Sequence, residues 1–372
     1  MTGRQMSHRA RYPYQPDSVP APGETLRETI EALDMSQAEL SMRTGLSAKH
    51  INQIVQGIAT ISHETAIALE RATGVPASLW NSLESNYRDY LARKRERERL
   101  SEEATWLSKL PIKSLRKLGA VTADKNDDAT ALQQVLRFFG VANIPAWEAV
   151  WLNPQADFLQ SRAYDVDSSA LAAWLRLGEL AAQRIQCDPF DRDKLRQSLP
   201  ELRSLTVEPL ERFLPEMKRI CASCGVAVVI IEEIPGCRVS GATRWLSPQK
   251  AVLQLSLRHK RNDHLWFAFF HELGHILLHG KRDNFIDRDS DYEAAREDPK
   301  EQQANTFAGD LLIPPTYASE LKRLRSLASM RAFAEKIGVA PGIVVGRLQH
   351  DRLIGFKIGH ALFERYRFEE TD

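Results

Sequence analysis

At 372 residues, 43% hydrophobic and 27% charged, the chain has room for two or three soluble domains, each with a respectable core. Its 50 Lys and Arg against 49 Asp and Glu leave no global charge to attract a polyanion, so a nucleic-acid surface has to be a local patch. Four cysteines make no disulfide framework and fit a reducing cytoplasm, and no apolar run approaches the roughly eighteen residues of a membrane span, so no membrane partner is expected.

The start, "MTGRQMSHRARYPYQPDSVPAPG", is polar, basic and Pro-rich, with no apolar segment of the kind a signal peptide carries; residues 1–22 read as a flexible tail. Residues 23–92 read as short helices split by tight turns, most of them opening at Ser or Thr or directly after a proline, as helix N-termini prefer. Within them "MSQAELSMRTGLSAKHINQIVQG" has the layout of a helix-turn-helix: one helix from Gln37, a turn at Gly45, and a second helix capped by Ser47. Leu40, Leu46, Ile51 and Ile54 can pack inward, while Lys49, His50, Asn52 and Gln53 project from the second helix, as a helix laid in a major groove requires. With "HETAIALERATGVPASLWNSLESNYRDYLA" following, the segment resembles the helix-turn-helix domain of XRE-type repressors, in particular the HigA-like antitoxin branch. That resemblance implies a double-stranded DNA operator as partner. Gln37 would meet a backbone phosphate, and the face from Ser47 to Gln53 would meet base edges. It also implies a homodimer, because such domains read paired half-sites. A helical protein-interaction bundle is the other reading of the same pattern.

The run "RKRERERLSEE" interleaves acids with bases, which suits a solvated linker helix better than a nucleic-acid arm. Residues 93–218 form a helical linker region, including "DATALQQVLRFFG" and "SSALAAWLRLGELAAQRI", with no motif that carries chemistry. The Cys221–Cys224 pair stands ahead of a strand without a second pair and reads as two small core residues, the alternatives being half a zinc knuckle or a redox motif. From Gly225 the β-branched run "GVAVVIIEE", then "CRVSGATRWL" and "KAVLQLSLR", predict a small sheet.

The helix "FAFFHELGHILLHG" follows. Its His271 and His275, four apart, share one helix face and can offer imidazoles to one metal ion, while Glu272 can reach a water beside that metal. Zinc lowers the pKa of such a water towards about 7, and a carboxylate then takes its proton. An ordinary apolar core helix is the competing reading. It leaves unexplained why three polar groups occupy so apolar a helix, since unpaired buried polar groups are costly. A catalytic zinc needs a third protein ligand. Glu301 in "EQQANTFAGDLLIP" is one candidate, provided Ala304 and Ala308 let its helix pack closely. The loop carboxylates Asp283, Asp287, Asp289, Asp291, Glu293 and Glu297 are others, and spacing does not choose among them.

"HELGHILLHG" followed by "EQQANTFAGDLLIP" resembles the ImmA/IrrE family of zincin-like metallopeptidases, over about residues 220–350. The resemblance implies that His271, His275 and Glu301 hold Zn2+ and that Glu272 is the general base. Gln303 stands where the family has a second glutamate. The family also carries a histidine at His279, which reads as supporting the metal surroundings or the helix end, with orienting a substrate as the other reading; Arg244 and Tyr292 are candidate transition-state donors. The resemblance further implies that an extended substrate runs along the sheet, with main-chain contacts from Val239 to Arg244. His259 and His264 read as surface or helix-start residues.

The expected fold is therefore α+β and multidomain: an all-α helix-turn-helix domain, a helical middle region, a zincin-like domain over 219–318 with a small sheet and the HExxH helix, and a C-terminal helical subdomain over 319–372. The expected function is that of a cytoplasmic DNA-binding regulator with a zinc endopeptidase domain that cleaves a repressor or antitoxin-type protein. The alternative is a non-proteolytic repressor or antitoxin whose zincin domain senses a metal or ligand or binds a toxin.

Overall fold

A computed structural model describes residues 19–152, 167–256, 260–280 and 298–366, together with the backbone of 285–288. The expected tail lies outside the described residues as far as residue 18, as do His259, Tyr292 and the loop carboxylates Asp283, Asp289, Asp291, Glu293 and Glu297. The chain forms two compact units: residues 1–104 with 128–130, and the remainder.

In the first unit α1 (Pro22–Ala32), α2 (Gln37–Thr44), α3 (Ala48–Val55) and α4 (His63–Thr73) are short, and α5 (Ala77–Glu103) is long. Ser36, Ser47 and Ser62 each stand at an N-cap and accept a backbone N–H from Glu39, His50 and Thr65, at 3.1, 3.1 and 3.2 Å. Each such cap stabilises its helix by about 1 kcal/mol. Gly45, with φ +73°, ends α2 in the left-handed region that favours glycine, which is why the helix-turn-helix turns there. Leu26, Ile30, Leu40, Ile51, Ile54, Leu69 and Trp80 form the core, with Leu46 packed against it. The charged run belongs to α5 itself: its acids and bases pair along the helix, Arg99 with Glu96 at 2.7 Å and with Glu103 at 2.9 Å.

The second unit includes α6 (Ile112–Lys117), most of α7 (Asp128–Phe139) and α8 (Ile144–Trp147), then α9 (Ser168–Gln183), α10 (Arg192–Ser204) and α11 (Leu210–Ser223). A sheet follows, of β1 (Val226–Ile230), β2 (Val239–Ser247) and β3 (Lys250–Leu255), and then α12 (Asn262–Leu278). After α12 come β4 (Phe285–Arg288), α13 (Pro299–Leu312), α14 (Ala318–Leu321), α15 (Leu327–Ile337) and α16 (Pro341–His350). The strand order is β1-β3-β2-β4, with β1 parallel to β3 and the other pairs antiparallel. Strand alternation divides the side chains: Val226, Val228, Leu253 and Leu255 join the core around α12, while Ala227, Val229 and Val252 pack against Ala182 of α9 on the other face.

One expectation is corrected here. The main chain of β2 was to meet substrate from Val239 to Arg244, but β2 is an inner strand. It pairs with β3 on one side and, through Val239, Gly241, Ala242 and Thr243, with β4 on the other. The outer strand beside β2 is β4, from a segment that follows the HExxH helix in sequence.

Candidate metal centre

Helix α12 is apolar almost all round: Leu265, Trp266, Phe269, Phe270, Leu273, Ile276 and Leu277 are buried, and a helix of that pattern belongs inside a core. It packs between the sheet and α13. The two helices approach closely at Gly274, where a Cβ would lie 3.3 Å from the Ala304 Cα and 3.1 Å from Phe307 Cδ1. Ala304 and Ala308 are both fully buried, as the close packing of α13 requires.

Helix α13 begins sharply. The Asp298 side chain accepts the Lys300 N–H at 2.8 Å, and Pro299 takes the first helical position. Glu301 thus falls in the first turn, and Asn305, four residues on, shares its face. Across the contact Glu301 Oε2 lies 3.2 Å from His271 Nε2, and Oε1 lies 3.5 Å from His275 Nε2. The two Nε2 atoms are 2.9 Å apart, and one ligand atom from each of the three residues lies within 4.8 Å of the others. A tetrahedral zinc with bonds of 2.0–2.1 Å sets its ligands about 3.3 Å apart. Two imidazole nitrogens and a carboxylate oxygen converging on one place therefore fit a divalent metal ion in both chemistry and spacing.

The outer partners agree with that use. If both rings offer Nε2, each carries its proton on Nδ1. His271 Nδ1–H then donates to Asn305 Oδ1 at 3.0 Å. His275 Nδ1–H donates to His279 Nδ1 at 3.1 Å, which leaves the His279 proton on Nε2, and that donates to Gln303 Oε1 at 3.2 Å. One set of tautomers satisfies the whole chain of bonds. Gln303 is therefore the acceptor for His279 and stands away from the ligand set.

Charge is tuned in the same sense. Burial pushes His275 down to about 4 despite the hydrogen bond to Glu301, so its ring is neutral at ordinary pH. Burial alone would raise the Glu301 carboxyl, but its hydrogen bonds with His271 and His275 more than reverse this and hold it below its usual range. Neutral imidazoles with an ionised carboxylate are the protonation states that bind a metal.

Glu272 is fully buried beside the pair. Thr243 Oγ1 donates to its Oε2 at 2.6 Å, and a Cβ at Gly241 would lie only 2.6 Å from its Oε1. Arg244 is on the wrong face for a transition-state donor: its guanidinium donates to the Leu175 carbonyl at 2.6 Å and faces Glu179 at 3.9 Å, on the α9 side of the sheet. Burial lowers it to about 10, and its position ties β2 to α9. Cys221 and Cys224 are fully buried core residues, and burial pushes the Cys221 thiol up. His264 stands in the first turn of α12. From sequence, Gly241 and Thr243 have only main-chain contacts to substrate and the Asn305 side chain has no role; their contacts with Glu272 and His271 leave no mark on residue spacing.

In the helix-turn-helix, Ser47, Lys49 and Asn52 are exposed, and Gln37, His50 and Gln53 partly so. The Ser47 hydroxyl is engaged as the α3 cap.

A sheet beside two helices that bring two buried histidines and a partly buried glutamate to one place is an arrangement that can hold a divalent metal ion. Residues 234–349 match the family described as IrrE N-terminal-like domain, a peptidase family, and residues 26–80 match the Helix-turn-helix family. Two segments of the chain are thus similar to known families, an XRE-type helix-turn-helix near its start and an ImmA/IrrE-like domain in its second half. Among solved structures, the chain is similar to an addiction module antidote protein of a HigA family from Coxiella burnetii. It is 27% identical, covering 23% of this chain and 94% of that one, with a TM-score of 0.21. No curated protein matches the chain. Among the described residues, no helix is long and apolar enough to cross a membrane.

Proposed function

We propose that this chain is a DNA-binding regulator whose second unit is a zinc-dependent endopeptidase acting on a repressor or antitoxin-type protein. The observation that carries the reading is the meeting of His271, His275 and Glu301 at one place with Glu272 buried beside them. Zinc held by those three side chains would polarise the scissile carbonyl and acidify the attacking water. Glu272 takes the proton from that water as the C–O bond forms. It passes the proton to the amine nitrogen as the C–N bond breaks. Asn305 and His279 hold the histidine rings in the tautomers that leave both Nε2 atoms free to coordinate. In the first unit Lys49 and Asn52 are exposed on the helix that would enter the major groove, with Gln37, His50 and Gln53 beside them. A homodimer would let two such helices read the half-sites of an operator.

The test is Glu272→Gln in the full chain. Wild type incubated with proteome-derived peptides produces new N-termini that chelation abolishes. The variant produces none, while keeping the zinc content and operator affinity of wild type. An unchanged set of cuts in the variant rejects the peptidase assignment. Unchanged gene regulation in a variant that no longer cuts favours the non-proteolytic repressor.

A further inference from the structure

Strand β2 presents two residues to Glu272, and alternation makes them Gly241 and Thr243 while Ala242 and Arg244 turn to the other face. Thr243 Oγ1 lies 2.6 Å from Glu272 Oε2 and 3.2 Å from the Glu272 carbonyl oxygen. The hydroxyl has one proton to give. Glu272 is well inside α12, where its carbonyl serves the helix ladder, and the shorter contact is the one to the carboxylate.

Gly241 supplies the other half of the grip. A Cβ there would stand 2.6 Å from Glu272 Oε1, 2.8 Å from Cγ and 3.1 Å from Cδ, so the carboxylate rests on bare strand backbone. One oxygen is held by a hydroxyl, and the other lies against a position that no side chain can occupy without displacing it. Both Thr243 and Glu272 are buried, at 1% and 0% exposure, so water does not compete for the bond.

We infer that Thr243 is a positioning residue: with Gly241 beneath, it fixes the direction in which the Glu272 carboxylate faces the metal centre. The use made of that carboxylate rests on the peptidase reading; the grip itself does not. A glutamate has three side-chain torsions, and without a donor on one oxygen it samples several rotamers. A misplacement of about 1 Å at a reacting group costs on the order of a hundredfold in rate.

Thr243→Val keeps the shape and removes the donor, and Thr243→Ser keeps the donor. With a peptide that wild type cuts, Thr243→Val lowers kcat about 30- to 100-fold with KM within about threefold and zinc content unchanged. Thr243→Ser stays within about fivefold of wild type. In a crystal structure of the metal-free Thr243→Val protein, the Glu272 side chain leaves its place against Gly241 or splits between rotamers. Thr243→Ala carries the same comparison if the valine variant does not fold. An undisturbed Glu272 in that crystal structure, or a valine variant with the wild-type kcat, overturns the assignment. If wild type cuts no peptide, the peptidase reading fails and the crystal structure still decides the role of Thr243. If wild type and Thr243→Val cut equally, the positioning role fails and the peptidase reading stands.

Discussion

Replacing Ala304 by leucine tests whether the close approach of α12 and α13 assembles the metal centre. Ala304 is fully buried, and the position a Cβ would take at Gly274 is already 3.3 Å from its Cα and 3.5 Å from its Cβ. Leucine adds three carbons at a position already packed against α12. Helix axes pack roughly 8–10 Å apart according to the side chains between them, so a Gly–Ala contact at the near end of that range must open by about 1–2 Å. Overpacking of this kind costs about 1–3 kcal/mol in stability. The effect on the site is larger, because metal–ligand distances tolerate only about 0.2 Å. Glu301 lies one turn before Ala304 on the same helix, 3.2 and 3.5 Å from the two Nε2 atoms, and withdraws with it. Zinc affinity then falls at least about a hundredfold, or about 2.8 kcal/mol. Competition against a chromophoric chelator measures this, circular dichroism verifies the fold, and Ala304→Ser serves as the tolerated control. A folded leucine variant with zinc affinity within about threefold of wild type would refute the packing argument. Glu301→Gln, measured alongside, separates that failure from a mistaken ligand.

Three further outcomes follow from the same geometry. Asn305→Leu removes the acceptor for His271 Nδ1 and weakens zinc binding about 10- to 100-fold without unfolding the protein; wild-type affinity in the chelator titration contradicts the tautomer assignment. In the metal-free protein, His275 is held down to about 4 against an ordinary 6.5. The unfolded state therefore binds the extra proton first, and stability falls as pH drops from about 6.5 towards 4; Glu301, held below its ordinary value, adds to the loss below 4.5. Melting temperatures of chelator-treated protein between pH 7 and 4.5 show the decline, and a flat profile counts against it. Lys49→Ala weakens operator binding and lowers the steepness of its dependence on salt, which a gel-shift series at several salt concentrations reads out; an unaltered slope means Lys49 touches no phosphate.

The helix-turn-helix was legible because its signals are local. Ser36, Ser47 and Ser62 cap the helices that follow within three residues, Gly45 takes the left-handed turn, and Ile51 and Ile54 stand at helical spacing. The His271–His275 pair was legible for the same reason, since four residues make one helix face whatever surrounds it. Glu301 stood on another footing. A loop separates it from the histidines, and its claim over the loop carboxylates rests on the resemblance; the meeting of α12 and α13 at Gly274 and Ala304 brings its carboxylate to the two Nε2 atoms. Tertiary structure alone decided how Glu272 is held. Alternation along β2 tells that Thr243 and Arg244 face opposite ways, but which of them faces Glu272 depends on the pairing register and on which side α12 docks. The covering of β2 by β4 is likewise a pairing between distant segments, carried by main-chain hydrogen bonds that leave no mark on residue spacing.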